Sequence, residues 1–153
     1  YVTAFEGGHP DHDCANFVVF EARRRTGIAF NILEFPLYNG AGSALTWRWK
    51  INDFPNEDGM ELKLPLTSRE IAIRYRVMRT YSSQFLYMIP ARLASSTVRM
   101  LKQGEPQRLC NNSRDHTVKP HPGKLNYERW FNMFMRIKFD DYRQAVEKAI
   151  LTK

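Results

Sequence analysis

The stretch Tyr1-Val2-Thr3-Ala4-Phe5-Glu6-Gly7-Gly8-His9-Pro10-Asp11-His12-Asp13 decides how this chain is read. Its first five residues have the character of a strand already under way. Two glycines follow, and then two imidazoles and two carboxylates crowd into positions 9–13. The whole chain holds 4 histidines, so half of them sit in this one turn. Past the turn, Asp13-Cys14-Ala15-Asn16-Phe17-Val18-Val19-Phe20-Glu21-Ala22-Arg23-Arg24-Arg25-Thr26 reads as a helix. Asp11 or Asp13 can act as its N-cap, and Gly27 suits the left-handed position after its end. Its apolar surface is broad, as expected of a helix lying on a sheet. Residues 28–38 form a second apolar, strand-like run, closed by the turn signal Asn39-Gly40. Strand, helix and strand with short joints predict a βαβ unit, and hence a parallel α/β sheet.

Downstream, residues 46–51 and 60–64 read as a second strand pair flanking a polar loop over 52–59. Thr67-Ser68-Arg69-Glu70 has the form of a capping box, and Ile71, Tyr75, Met78, Ser82 and Phe85 continue at helical spacing. The region from Pro90 to Gly123 is rich in Arg, Asn and Pro. It reads as an irregular excursion with a short helix near 91–102. Two C-terminal helices are expected, one over 126–137 and one from Asp140 with Ala145, Val146, Ala149 and Ile150 on one face.

The 153 residues match one domain, 43% hydrophobic and 25% charged, which supports a packed core. No apolar run approaches the roughly 18–20 residues that span a bilayer. Cys14 and Cys110 form no C-x-x-C pair and read as reduced, buried or idle thiols. The net charge of +7 is spread along the chain. Its one tight run, Arg23-Arg24-Arg25, sits where cations complement a helix dipole. A nucleic-acid-binding patch is therefore the minor alternative.

A histidine-rich turn between a strand's C-terminal end and a helix's N-terminal end lies where open α/β sheets bind ligands. Gly7 and Gly8 permit close backbone approach, and Pro10 holds His9 extended. Two histidines three apart can then converge on one point. Neutral imidazole is a good zinc ligand, and nearby carboxylates can orient it. The spacing alone leaves open a bland alternative, two partly exposed histidines in a capped turn.

Glu6-Gly7-Gly8-His9-Pro10-Asp11-His12-Asp13 resembles the second motif of the LmbE-like, or GlcNAc-phosphatidylinositol de-N-acetylase (PIG-L), family. Arg76-Val77-Met78-Arg79-Thr80-Tyr81-Ser82-Ser83-Gln84 and Pro122-Gly123-Lys124-Leu125-Asn126-Tyr127-Glu128 resemble later family segments, in the same order. The resemblance implies a zinc-dependent hydrolase that removes the acetyl group from an N-acetylglucosamine-type substrate. It implies a Rossmann-like parallel sheet flanked by helices, with extra C-terminal helices. It places His12 as a metal ligand, His9 as the catalytic contact to the reacting carbonyl, and Asp11 as the orienter of a neighbouring histidine. Asp13 then remains a helix cap.

The family's other motif, His-Pro-Asp-Asp, which carries two further metal ligands and a general base, does not occur in these residues. The expectation is that residues 1–153 are the C-terminal part of such a deacetylase domain. The first strands and the remaining zinc ligands would then lie upstream, and this chain alone would be inactive. Zinc is the expected cofactor, an acetylated amino sugar the expected substrate, and the cytoplasm the expected compartment. Neither nucleic acid nor a transmembrane segment is expected. The alternative is a non-catalytic α/β sugar-binding domain. His116 and His121 read as a polar surface loop, or as substrate contacts. Tyr38 reads as a packing or rim residue, or as a lining of the sugar pocket. Trp47, Trp49 and Trp130 read as core, as do Phe131, Met133, Phe134 and Met135. A role for Cys14 as a stray metal ligand is the minor alternative to an idle thiol.

Overall fold

The computed structural model describes residues 1–42, 50–56, 59–80, 98–110, 114–129 and 136–152. Expectations for the three tryptophans, for 131–135, and for Ser82 and Phe85 lie outside them.

Strand β1 (Val2–Thr3) leads through the glycine turn into α1 (Pro10–Thr26), which returns to β2 (Leu33–Phe35). β1 and β2 pair in parallel, Val2 opposite Glu34 and Thr3 opposite Phe35, so the expected βαβ unit forms. β3 (Tyr38–Asn39) and β4 (Lys50–Ile51) make a separate antiparallel ribbon. β5 (Met60–Leu64), α2 (Ser68–Thr80), a helical segment at 98–103 and β6 (Glu105–Leu109) follow. Two helices close the order, α3 (Asn126–Arg129) and α4 (Phe139–Leu151). The main sheet runs β1-β2-β6-β5.

The sheet is mixed: only β1 and β2 are parallel, while β6 runs antiparallel to both β2 and β5. The strands near 50 and 60 do not pair with each other as the sequence suggested; each finds a different neighbour. β6 lies in the stretch read as irregular, because Glu105-Pro106-Gln107-Arg108 shows no apolar alternation. It is nevertheless central, because its polar residues are neutralised in place. Arg108, 1% exposed, meets Glu34 with Nη2 at 2.7 Å and Nε at 3.0 Å from Oε2. Arg114 pairs with the other Glu34 oxygen. Burial pushes the Glu34 carboxyl up, and the guanidiniums of Arg114 and Arg108 reverse this, holding it below its usual range. The Arg108 guanidinium also lies 4.2 Å over the Phe54 ring.

α1 starts earlier than the composition suggests. Pro10 takes the first helical position, where its fixed φ is helical and its missing N–H costs nothing. His9, extended at φ −138°, is the N-cap, its Nδ1 accepting from the Asp11 N–H at 3.1 Å. Neither Asp11 nor Asp13 is the cap. At the other end Gly27 takes φ 66° and returns its N–H to the Arg23 carbonyl. Arg24 and Arg25 fold back onto Glu21, and Arg25 also donates to the Thr152 carbonyl just past α4 at 2.8 Å. The buried stripe of α1 is narrow and half polar: Pro10, Asp13, Asn16 and Phe20. Asn16 ties β1 to β2 by donating to the Thr3 carbonyl at 2.7 Å and to Glu34 at 2.6 Å. The capping box of α2 forms, with Thr67 and Glu70 each accepting from the other's backbone N–H.

Two apolar clusters build the core. Val2, Phe20, Ile32 and Cys110 gather in one of them. In the other, Phe5 and the C-terminal residues Leu125, Tyr127, Phe139, Tyr142 and Val146 pack with Phe17 and Ile137. On α4 the buried face is therefore Phe139, Tyr142 and Val146; Ala145 and Ile150 are exposed. Both cysteines are free, Cys14 exposed and Cys110 buried. Among the described residues no helix is long and apolar enough to cross a membrane.

His116 and His121 are not on a surface loop; both are buried. His116 sits among the rings of Phe5, Phe20 and Phe17, at centroid distances of 5.0, 5.1 and 5.6 Å. Its Nε2 lies 2.8 Å from Asn16 Oδ1. Since Asn16 spends its amide hydrogens on Thr3 and Glu34, that contact is His116 Nε2–H donating. Burial, helped by Arg114 and opposed by Glu34 and Asp115, lowers the His116 pKa to about 4. A histidine held neutral in the fold but free to protonate when unfolded stabilises above pH 6.5 and loses that stability as pH falls toward 4. This window is expected to cost about 3 kcal/mol, from a shift of 1.36 kcal/mol per unit. Urea titrations at pH 7 and pH 4.5 check it: the difference should shrink in His116→Gln. An unchanged difference would remove His116 from the acid response.

Candidate functional site

The turn from β1 into α1 sits at the C-terminal edge of the parallel pair, and the β2–β3 joint lies beside it. Two buried carboxylates build it. Asp13, fully buried, accepts from the N–H groups of Glu6 and Gly7, both at 3.1 Å on one oxygen. It therefore holds the turn from inside rather than capping the helix. Burial raises its pKa to about 7, against the lowering effect of those two backbone bonds. The Tyr127 phenol lies against it, and the Tyr142 hydroxyl donates to its backbone carbonyl at 3.3 Å. Glu6, also fully buried, accepts from the Leu37 N–H at 3.2 Å and the Tyr38 N–H at 3.1 Å. It pins the β2–β3 joint to the glycine turn. Burial drives its carboxyl well above the usual range, even against those two donors.

The glycines are there for close approach. Gly7 takes φ 66°, and a Cβ on it would fall 2.7 Å from Leu125 Cδ2. Its carbonyl accepts from the Asn126 N–H at 2.8 Å. A Cβ on Gly8 would run into the backbone carbonyl of Tyr38. Gly8→Ala must therefore displace backbone. It is expected to cost about 1–3 kcal/mol, as overpacking does, read as a fall in thermal midpoint. A midpoint within experimental error of the parent would show that the β2–β3 joint yields freely.

His9 and His12 come side by side, ring centroids 5.3 Å apart and planes inclined by 39°. Tyr38 presents an edge to the His12 ring at 5.6 Å. The Thr3 hydroxyl donates to the His12 carbonyl at 3.1 Å, fixing the first helical turn on β1. His12 Nδ1 is buried with no hydrogen-bond partner and lies 3.9 Å from Glu6 Oε1. Burial and the adjacent His9 lower the His12 pKa to about 4, so its imidazole is neutral at pH 7. Asp11 is exposed, its Oδ2 3.7 Å from His9 Nδ1. The carboxyl group beside His12 is that of Glu6, 3.9 Å from Nδ1 and beyond hydrogen-bond reach. Glu6 was assigned no role from the sequence, although it stands in the quoted motif. Its signal was a carboxylate at a strand end directly before two glycines.

The donor set can be tested for zinc. A neutral imidazole with one ring nitrogen turned toward a buried carboxylate leaves the other nitrogen free, which suits a single metal ligand. Catalytic zinc takes about three protein ligands, and among the described residues no group of three His, Cys, Asp or Glu side chains is placed to hold a metal. His12 thus fits one position of a zinc site; the full ligand set is not in these residues. Cys14 is exposed on the first turn of α1, outside any such group. His121 Nδ1 lies 2.9 Å from the Pro122 carbonyl. No protein-family model matches this chain, and neither the curated proteins nor the solved structures contain a match to it.

Proposed function

We propose that the β1–α1 turn is part of the active site of a zinc-dependent hydrolase that removes the N-acetyl group from an N-acetylglucosamine-type substrate. One observation carries this: a half-buried His12, its Nδ1 turned inward toward Glu6, stands 5.3 Å from His9 at a strand–helix edge. The resemblance of residues 6–13 to the PIG-L motif supplies the reaction class. The finer fold reading, a Rossmann-like domain, belongs to the same proposal.

In this reading His12 is one zinc ligand, with Glu6 behind it, and the other ligands come from a His-Pro-Asp-Asp segment that residues 1–153 do not contain. Bound zinc would supply a Lewis acid and a water of lowered pKa. His9 faces the carbonyl oxygen of the acetamide and donates to it as negative charge develops there. Because His9 Nδ1 accepts from the Asp11 N–H, the ring nitrogen left to donate is Nε2. The C–N bond breaks, the oxygen of water ends in acetate, and the nitrogen leaves as a free amine with the proton it gains. Tyr38 forms one wall of the sugar subsite.

Acetate release from N-acetylglucosaminides tests the proposal. Residues 1–153 alone should release none. The same residues joined to a His-Pro-Asp-Asp segment should release acetate, and a chelator should abolish it. Chelator-sensitive turnover by 1–153 alone would overturn the divided site. No turnover by the joined protein would overturn the deacetylase reading.

A further inference from the structure

β5 is the last strand of the main sheet, and among the described residues nothing pairs with its outer edge. All five of its residues are exposed, including Met60 at 57%, Leu62 at 37% and Leu64 at 40%. An open edge of this kind is a template for pairing with another chain.

The register shows which backbone groups face out. The Cys110 N–H donates to the Ile32 carbonyl at 3.0 Å, continuing the β6–β2 ladder. The peptide groups of Cys110, Arg108 and Pro106 therefore turn toward β2, and those of Leu109, Gln107 and Glu105 turn toward β5. Pro106 fits this: β2 does not extend opposite it, so its missing N–H leaves no bond unmade. On β5, the partners of Leu109, Gln107 and Glu105 are Met60, Leu62 and Leu64, which spend their N–H and C=O groups inward. Glu61 and Lys63 are left with theirs pointing outward.

The sequence Met60-Glu61-Leu62-Lys63-Leu64 is self-complementary about its centre. We propose that β5 is a dimerisation edge, joining two copies of this chain antiparallel about a two-fold axis through Leu62. Glu61 then stands directly opposite Lys63 of the second copy, and Lys63 opposite its Glu61. Each such pair exchanges two backbone hydrogen bonds and matches opposite charges. On the other face Leu62 meets Leu62 and Met60 meets Leu64. The parity agrees with the axis: the residues that turn outward are those a centred pairing needs to bond. Within one chain Lys63 Nζ already lies 3.7 Å from Glu61 Oε1, so both charges occupy one face of the strand. The dimer would carry one continuous eight-stranded sheet, from the order β1-β2-β6-β5 read out and back.

Charge exchange tests the pairing. Sedimentation equilibrium of the chain should give a dimer. Lys63→Glu and Glu61→Lys each set like charges opposite one another, and each should weaken dimerisation by roughly tenfold. An equimolar mixture of the two variants restores opposite charges at both pairs and should recover the parent affinity. Far-UV circular dichroism matching the parent shows that each variant is folded. A monomeric parent, single variants that dimerise as tightly as the parent, or a mixture that fails to recover would each overturn the proposal.

Discussion

Glu34→Ala is expected to destabilise the chain by about 3–5 kcal/mol, the range for breaking a buried ion pair from one side. Glu34 is fully buried and holds Arg108, Arg114 and the Asn16 amide at once. Removing it strands two guanidiniums, one of them 1% exposed. It also frees Asn16, which aligns His116 and ties β1 to β2. Domains of this size are stable by about 5–15 kcal/mol, so the loss is a large share of the total. Arg143→Ala is the control. Arg143 bridges Asp140 and Glu147 on the exposed face of α4, where such pairs contribute about 0–1 kcal/mol. Denaturant midpoints of the two variants should differ severalfold in their displacement from the parent. A Glu34→Ala midpoint no further displaced than that of Arg143→Ala would show that the network does not hold the sheet together.

The second large effect is catalytic and rests on the proposed deacetylase reading. In a protein completed by the His-Pro-Asp-Asp segment, His9→Ala is expected to lower kcat by about 10²–10⁴, the range for losing a positioned proton donor. KM for the sugar should move far less, because His9 acts on the carbonyl rather than on the sugar ring. Asp11→Asn should fall between parent and His9→Ala, since the exposed Asp11 carboxylate stands 3.7 Å from His9 Nδ1. Equal kcat values for parent and His9→Ala would assign the carbonyl contact elsewhere.

How far the sequence carries can be judged from particular residues. The βαβ unit was legible because Pro10 and Gly27 each act through local backbone geometry that needs no tertiary context. The capping box of Thr67 and Glu70 was legible for the same reason. β6 was not, since Arg108 in a central strand makes sense only once Glu34 is known to face it from 74 residues away. The roles within the turn divided likewise. That His9 and His12 converge follows from their spacing across Pro10. That Asp13 faces inward to bind the Glu6 and Gly7 amides, leaving the cap to His9 Nδ1, depends on where the chain enters the helix. His116 and His121 looked like loop residues because their neighbours are polar or proline. The burial of His116 is created by Phe5, Phe17 and Phe20, which lie far from it in sequence.

The central claim is that His12, and not His9, is a metal ligand of this turn. Zinc binding measured by calorimetry on the completed protein tests it without reference to turnover. His12→Ala should lose at least about 100-fold in zinc affinity, the upper end of what even an outer-shell partner costs. His9→Ala should keep parent affinity and stoichiometry. Parent-like zinc binding by His12→Ala would contradict the account.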